Sequence, residues 1–215
     1  MARLPPRFVA LSPGDLSSAT ARDFLARAAA ALEAGLPGLM LREPGLSDRE
    51  FLTLAQGLAA RAKHSGTWFC VHDRVHAGLA VEADAVHLGF HSLPPAQARS
   101  LLPASMGLGL STHDGDPPER LADCDYRIHG PVFDTPSKQG IQTAIGLEGI
   151  ARALALSEIP LLAIGGLLPE HFASLRDLGV HGVCARAGVF RSGDSLQATL
   201  ARVQAWVAAL EGRTP

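Results

Sequence analysis

The stretch WFCVHDRVHAGLAVEADAVHLG, Trp68 to Gly89, holds two short apolar runs, Trp68–His72 and Ala85–Leu88, on either side of a brief helical segment, Val75–Val81. Short apolar runs alternating with amphipathic or Ala-rich stretches imply βα units around a parallel sheet. The alternation continues in both directions. Upstream lie strands at Arg7–Leu11 and Gly38–Arg42, with helices at Ala21–Gly35 and Ser47–Ser65. Downstream, strands at Met106–Ser111, Asp125–His129, Leu161–Ile164 and Gly182–Ala185 alternate with helices at Pro94–Leu102, Pro117–Ala122, Leu147–Leu156, Pro169–Leu178 and Ser195–Leu210. Eight strands and eight helices predict a (β/α)8 barrel, a TIM barrel, forming one domain over residues 1–215. An open doubly wound sheet is the rival architecture.

Local signals agree. Ser47 followed by Glu50 matches a capping box, and Pro94 and Pro169 suit a first helical turn, where a missing N–H is harmless. With 215 residues, 47% of them hydrophobic and 19% charged, the chain has the composition of one globular domain rather than a disordered or fibrous protein. Its formal charge of −2, without long blocks of one sign, speaks against a nucleic-acid or anionic-membrane surface. Cys70, Cys124 and Cys184 make no Cys-x-x-Cys pair, which favours a reduced setting. No signal-length or membrane-spanning apolar run occurs, so a cytoplasmic location is expected.

In such barrels the reactive groups sit at the C-terminal strand ends and the loops beyond. Those positions hold Arg42 and Glu43; His72, Asp73 and Arg74; Gly89, Phe90, His91 and Ser92; Ser111, Thr112, His113 and Asp114; Thr135, Ser137 and Lys138; Gly165 and Gly166; and Arg186 and Gly188. Gly165-Gly166 alone could be only a tight turn. Paired with the small residues Ala187 and Gly188 after the eighth strand, it predicts a backbone phosphate cradle. Thr135-Pro136-Ser137-Lys138 offers two hydroxyls and an ammonium inside the long loop Gly130–Gly146; alone it would be a solvated turn, but long loops in compact domains are usually functional. A single rim histidine is more often structural than catalytic. His113, between Ser111, Thr112 and Asp114, has the most polar surroundings and ranks first as acid or base. No histidine pair has zinc spacing, and no metal ligands are assigned.

Leu41-Arg42-Glu43, His72-Asp73-Arg74-Val75, Ala85-Val86-His87-Leu88-Gly89, Gly109-Leu110-Ser111-Thr112-His113, the segment from Gly130 to Lys138, and Ala163-Ile164-Gly165-Gly166 together resemble, in order, the landmarks of the thiamine phosphate synthase superfamily. The resemblance spans nearly the whole chain and implies a (β/α)8 barrel. It also implies one of two activities. A thiamine phosphate synthase joins hydroxymethylpyrimidine pyrophosphate to a thiazole phosphate, with Mg2+ on the leaving group; a TenI-type thiazole tautomerase moves a proton to aromatise a carboxythiazole phosphate.

The synthase pattern has Arg-Glu-Lys after the second strand, Asn-Asp after the third and an acidic residue shortly after the glycine that follows the fourth. This chain has Pro44 in place of the lysine, His72-Asp73, and Gly89-Phe90-His91-Ser92. Losing a carboxylate and a lysine should impair pyrophosphate ionisation. The departures therefore favour the tautomerase, an isomerase with His113 as its proton-transfer residue and little or no synthase activity. Its thiazole phosphate would be held by Arg42, His72, Asp73, Ser111, Thr135, Ser137, Lys138, Gly165, Gly166, Arg186 and Gly188. That activity calls for no cofactor; Mg2+ enters only with the synthase alternative. A non-catalytic thiamine-precursor-binding protein is the third alternative, and a homodimer is compatible with any of them.

Overall fold

The computed structural model describes residues 3–135 and 143–213. Eight parallel strands close into a barrel in sequence order: β1 (Phe8–Leu11), β2 (Gly38–Leu41), β3 (Trp68–His72), β4 (Ala85–Leu88), β5 (Gly107–Thr112), β6 (Tyr126–His129), β7 (Leu161–Ile164) and β8 (Gly182–Ala185). Closure is made by β1 pairing with β8, Phe8 opposite Val183, Val9 opposite Cys184 and Ala10 opposite Ala185. That ladder excludes the open sheet.

Period-two alternation sorts the strand residues into two layers. Val9, Leu11, Met40, Cys70, Ala85, Tyr126, Ile128, Leu162 and Cys184 pack with Trp68 as one cluster inside the ring. Their neighbours, such as Phe8, Leu39, Phe69, Leu161 and Val183, pack outward against the helices. Tyr126 meets Trp68 edge-on at 5.9 Å, and it fills the space beside Gly109 so fully that a Cβ there would lie 2.2 Å from the phenol ring. The ring is thus a packed core with its opening only at the ends.

The helices are α1 (Ser18–Glu33), α2 (Asp48–Ser65), α3 (Val75–Ala80), α4 (Pro95–Leu101), α5 (Gly146–Leu156), α6 (Phe172–Asp177) and α7 (Leu196–Leu210). The capping box of α2 forms: Ser47 N–H donates to Glu50 Oε2 at 2.9 Å, and Ser47 Oγ accepts from Glu50 N–H at 3.4 Å. Helix α1 starts three residues before the expected Ala21, because Ser17 N–H finds Thr20 Oγ1 at 2.9 Å and Thr20 N–H finds Ser17 O, closing the first turn early. The expected count of eight α-helices is corrected to seven among the described residues. Between β5 and β6 the segment expected as a helix is a 3₁₀ turn, Pro118–Leu121: two consecutive prolines, Pro117 and Pro118, supply no N–H, and the run is too short for an α-helix to propagate. No helix among the described residues is long and apolar enough to cross a membrane.

Candidate active site

The inward parity that fills the ring continues at its C-terminal mouth. Beyond Met40, Cys70 and Cys184, the next inward positions are Arg42, His72 and Arg186; on β4 and β5 they are His87 and Ser111. One depression at this end is lined by Arg42, Glu43, Pro44, Phe51, His72, Asp73 and Arg74.

Glu43, one residue out of phase with Arg42, is 2% exposed and accepts from Gly14 N–H at 2.8 Å and Leu16 N–H at 2.9 Å. Its carboxylate ties the loop after β1 to the end of β2. Gly14 stands at φ +91°, and a Cβ on it would lie 3.5 Å from Arg42 Nη1 and 3.6 Å from Arg186 Nη1. Two guanidinium groups from opposite sides of the β1 loop therefore share the space over one glycine. Neither makes an ion pair among the described residues. Arg74, by contrast, is committed to Asp48 at 2.9 Å, the Leu46 carbonyl and the Phe51 ring, which places it in the scaffold.

Asp73 has φ +63°, an uncommon backbone for a non-glycine residue. Its Oδ2 lies 3.0 Å from His72 Nδ1, while Oδ1 accepts from Gly89 N–H at 3.0 Å and from the Ser92 hydroxyl. Partial burial opposes ionisation, but the bond and charge of His72, then Ser92 and Gly89, outweigh it and hold the carboxyl below the ordinary range. Behind this pair, His87 is 1% exposed and its Nε2 lies 2.9 Å from Ser111 Oγ. Burial, then the charge of His72, pushes the His87 imidazole well below its ordinary pKa, so it is neutral at physiological pH.

The loop after β6 runs along the end of β7: Val132 N–H donates to Ile164 O at 2.9 Å and Phe133 N–H to Gly165 O at 3.0 Å. A Cβ on Gly165 would meet Pro131 at 2.6 Å, and one on Gly166 would meet Phe133 at 2.7 Å. These glycines are required by the loop contact itself. Their N–H groups, and that of Gly188, donate to no other described residue. Gly188 has its own packing reason: a Cβ would lie 2.9 Å from Ala185 Cβ, and its carbonyl accepts from Trp206 Nε1. Thr135 is half-buried. Ser137 and Lys138 lie outside the described residues.

His113 falls elsewhere. It lines a second pocket with Thr112, Arg127, His129 and Leu156, outside the ring, and meets Phe90 edge-on at 4.5 Å. That pocket shares no lining residue with the mouth depression. Thr112 Oγ1 and His129 Nδ1 pair there at 2.9 Å, which puts both on the outward face of their strands.

The family model described as Thiamine monophosphate synthase matches residues 12–189. The chain belongs to the thiamine monophosphate synthase family. It is 36% identical over 166 residues to the thiamine-phosphate synthase of Moorella thermoacetica, covering 76% of this chain and 79% of that one. It is 34% identical over 183 residues to the thiamine-phosphate synthase of Syntrophomonas wolfei, covering 84% and 87%. The solved thiamine phosphate pyrophosphorylase of Pyrococcus furiosus superposes with a TM-score of 0.77 at 26% identity, covering 95% and 96%.

Within this family of thiamine biosynthesis, the expectation of a tautomerase is overturned. These relatives carry the name of the transferase, not of an isomerase. Pro44 and Ser92 are thus departures in a chain whose relatives carry the synthase name, and Arg42 and Asp73 of the synthase pattern are kept at the mouth.

The family implies Mg2+, and the donors here can be tested for it. Among the described residues no group of three or more His, Cys, Asp or Glu side chains could hold a metal alone. Asp73 is an ionised hard-oxygen donor at the mouth; Oδ1 already accepts two bonds, while Oδ2 accepts one and keeps a lone pair. Mg2+ is commonly held by one or two carboxylates with substrate phosphates and water completing its shell. Asp73 fits as one carboxylate ligand for such an ion, with the rest of its shell to come from outside the protein.

Proposed function

We propose that this chain is a thiamine-phosphate synthase, joining hydroxymethylpyrimidine pyrophosphate to thiazole phosphate and releasing pyrophosphate. The observation that carries this is the run of curated thiamine-phosphate synthases at 34–36% identity over most of the chain, combined with an unpaired Arg42 and an ionised Asp73 at one mouth. In the reaction the pyrimidine methylene carbon loses its bond to the pyrophosphate oxygen and gains one to the thiazole nitrogen. The electron pair leaves with the pyrophosphate, so the developing negative charge is what a catalyst must neutralise.

The residues divide by role. Arg42 faces the leaving group with a planar fork suited to phosphate oxygens. Asp73 would hold Mg2+, which when bound neutralises pyrophosphate charge. The N–H groups of Gly165, Gly166 and Gly188 offer donors for the thiazole phosphate, as loops after strands seven and eight of such barrels commonly do. Ser111, set by His87, presents a hydroxyl to the pyrimidine. No proton has to be moved by His113. Incubating the purified chain with both substrates and Mg2+ and following thiamine phosphate by mass spectrometry tests the proposal; product well above the enzyme-free rate is expected, and none from a folded protein would refute it.

A further inference from the structure

The lysine of the synthase pattern is Pro44 here, and the same mouth carries an arginine on the far side of β1. We propose that Arg186 supplies the missing positive charge: Arg42 and Arg186 form a two-guanidinium clamp over Gly14 that grips the pyrophosphate of the pyrimidine substrate. This rests on the synthase proposal and adds a residue to it.

Three observations support the clamp. First, both Nη1 atoms lie within 3.6 Å of the position a Gly14 Cβ would take, from β2 on one side and β8 on the other. Like charges are brought this close at a ligand-facing surface when an anion is to be shared between them, and a pyrophosphate has enough oxygens for two forks. Second, neither guanidinium makes an ion pair among the described residues, and the neighbouring acids bond to other groups. Glu43 is spent on Gly14 and Leu16 N–H groups, and Asp15 accepts from Ser192 Oγ at 2.5 Å. Third, the floor is fixed: Glu43 pins Gly14, Arg42 N–H donates to Ser12 Oγ at 2.8 Å, and glycine at φ +91° keeps the space open. Arg186 begins the turn after β8, with Val189 and Phe190 N–H groups both donating to its carbonyl at 3.2 Å, so its backbone is anchored while the side chain reaches over.

The phosphate could also come from the thiazole substrate, because Arg186 neighbours the β7 and β8 loops. The test separates the two sources. Binding of inorganic pyrophosphate and of inorganic phosphate is measured by calorimetry for the parent, Arg186→Ala, Arg186→Lys and the double variant Arg186→Ala with Pro44→Lys, alongside KM for each substrate and thermal melting as a fold control. The clamp predicts that Arg186→Ala weakens pyrophosphate binding about 10- to 100-fold, leaves the thiazole phosphate KM within about 3-fold, and is partly rescued by Pro44→Lys. Unchanged pyrophosphate affinity in a folded Arg186→Ala protein overturns it, as does a rise confined to the thiazole phosphate KM. The calorimetric arm needs no turnover. Arg186-dependent pyrophosphate binding without thiamine phosphate formation would sink the synthase proposal and leave the clamp standing; turnover indifferent to Arg186 would do the reverse.

Discussion

His87 Nε2 lies 2.9 Å from Ser111 Oγ at the inner face of the mouth, with the imidazole sealed from solvent and its Nδ1 without a hydrogen-bond partner among the described residues. An unpaired buried acceptor is better tolerated than an unpaired donor. The tautomer with its proton on Nε2 is therefore favoured: it donates to Ser111 Oγ and leaves the hydroxyl proton for an acceptor in the mouth. Ser111→Ala should lower kcat/KM about 10-fold, the worth of one such bond. Because His87 stays neutral, that factor should be the same at pH 6 and pH 8. His87→Asn combined with Ser111→Ala should cost no more than either alone, which a double-mutant cycle measures.

His129 makes stability pH-dependent. Burial, then the nearby charges of Arg127 and His113, lowers its pKa from 6.5 to about 4 in the folded state. Between those values the unfolded chain binds a proton that the folded chain does not, so stability falls as the pH falls. This residue should account for roughly 2 kcal/mol lost between pH 7 and pH 5. Urea unfolding at both values, compared with His129→Asn, checks it: the variant should be less stable at pH 7 and lose less on acidification.

Ser92 donates to Asp73 where the synthase pattern places a second acid. Ser92→Asp should tighten the apparent Mg2+ requirement about 10-fold at fixed substrate, since cation affinity follows ligand charge count. Without Mg2+ the paired carboxylates should lower the melting temperature. A Mg2+ titration of initial rate with parallel melting curves reads both effects.

Glu43→Gln replaces a buried acceptor of two N–H groups with an amide that can accept only through one atom. It should destabilise the fold by about 2 kcal/mol and raise the KM for the pyrimidine pyrophosphate, because the Gly14 floor beneath Arg42 loosens. Denaturation midpoints and steady-state kinetics on the same preparation measure the two consequences.

The barrel was legible because alternation and strand length repeat eight times; all eight strands lie within one residue of their expected bounds. The segment Pro117–Ala122 failed since its place in the alternation suggests a helix while two prolines and a short span allow only a 3₁₀ turn. Rim position placed Arg42, His72, Asp73, Ser111 and Arg186 at the C-terminal mouth, where the structure has them. His113, ranked first for its polar neighbours, lines a separate pocket with Thr112, Arg127 and His129, because the direction of its side chain is not encoded by those neighbours. His87 was within reach: period two carried through Ala85 puts it inward with Ser111. Glu43 was legible as a rim residue, but its role in tying down the β1 loop was hidden because its partners, Gly14 and Leu16, are backbone groups of another unit. The meeting of Arg42 with Arg186 depends on β1 closing against β8, which no local pattern encodes.

The most direct test of the synthase account is the stoichiometry of pyrophosphate release with each substrate alone and both together, in the presence of Mg2+. A substitution at the pyrimidine methylene predicts pyrophosphate equal to thiamine phosphate formed, and little release unless thiazole phosphate is present. Release from the pyrimidine pyrophosphate alone at the full rate, or no release with both substrates from a folded protein, would contradict it.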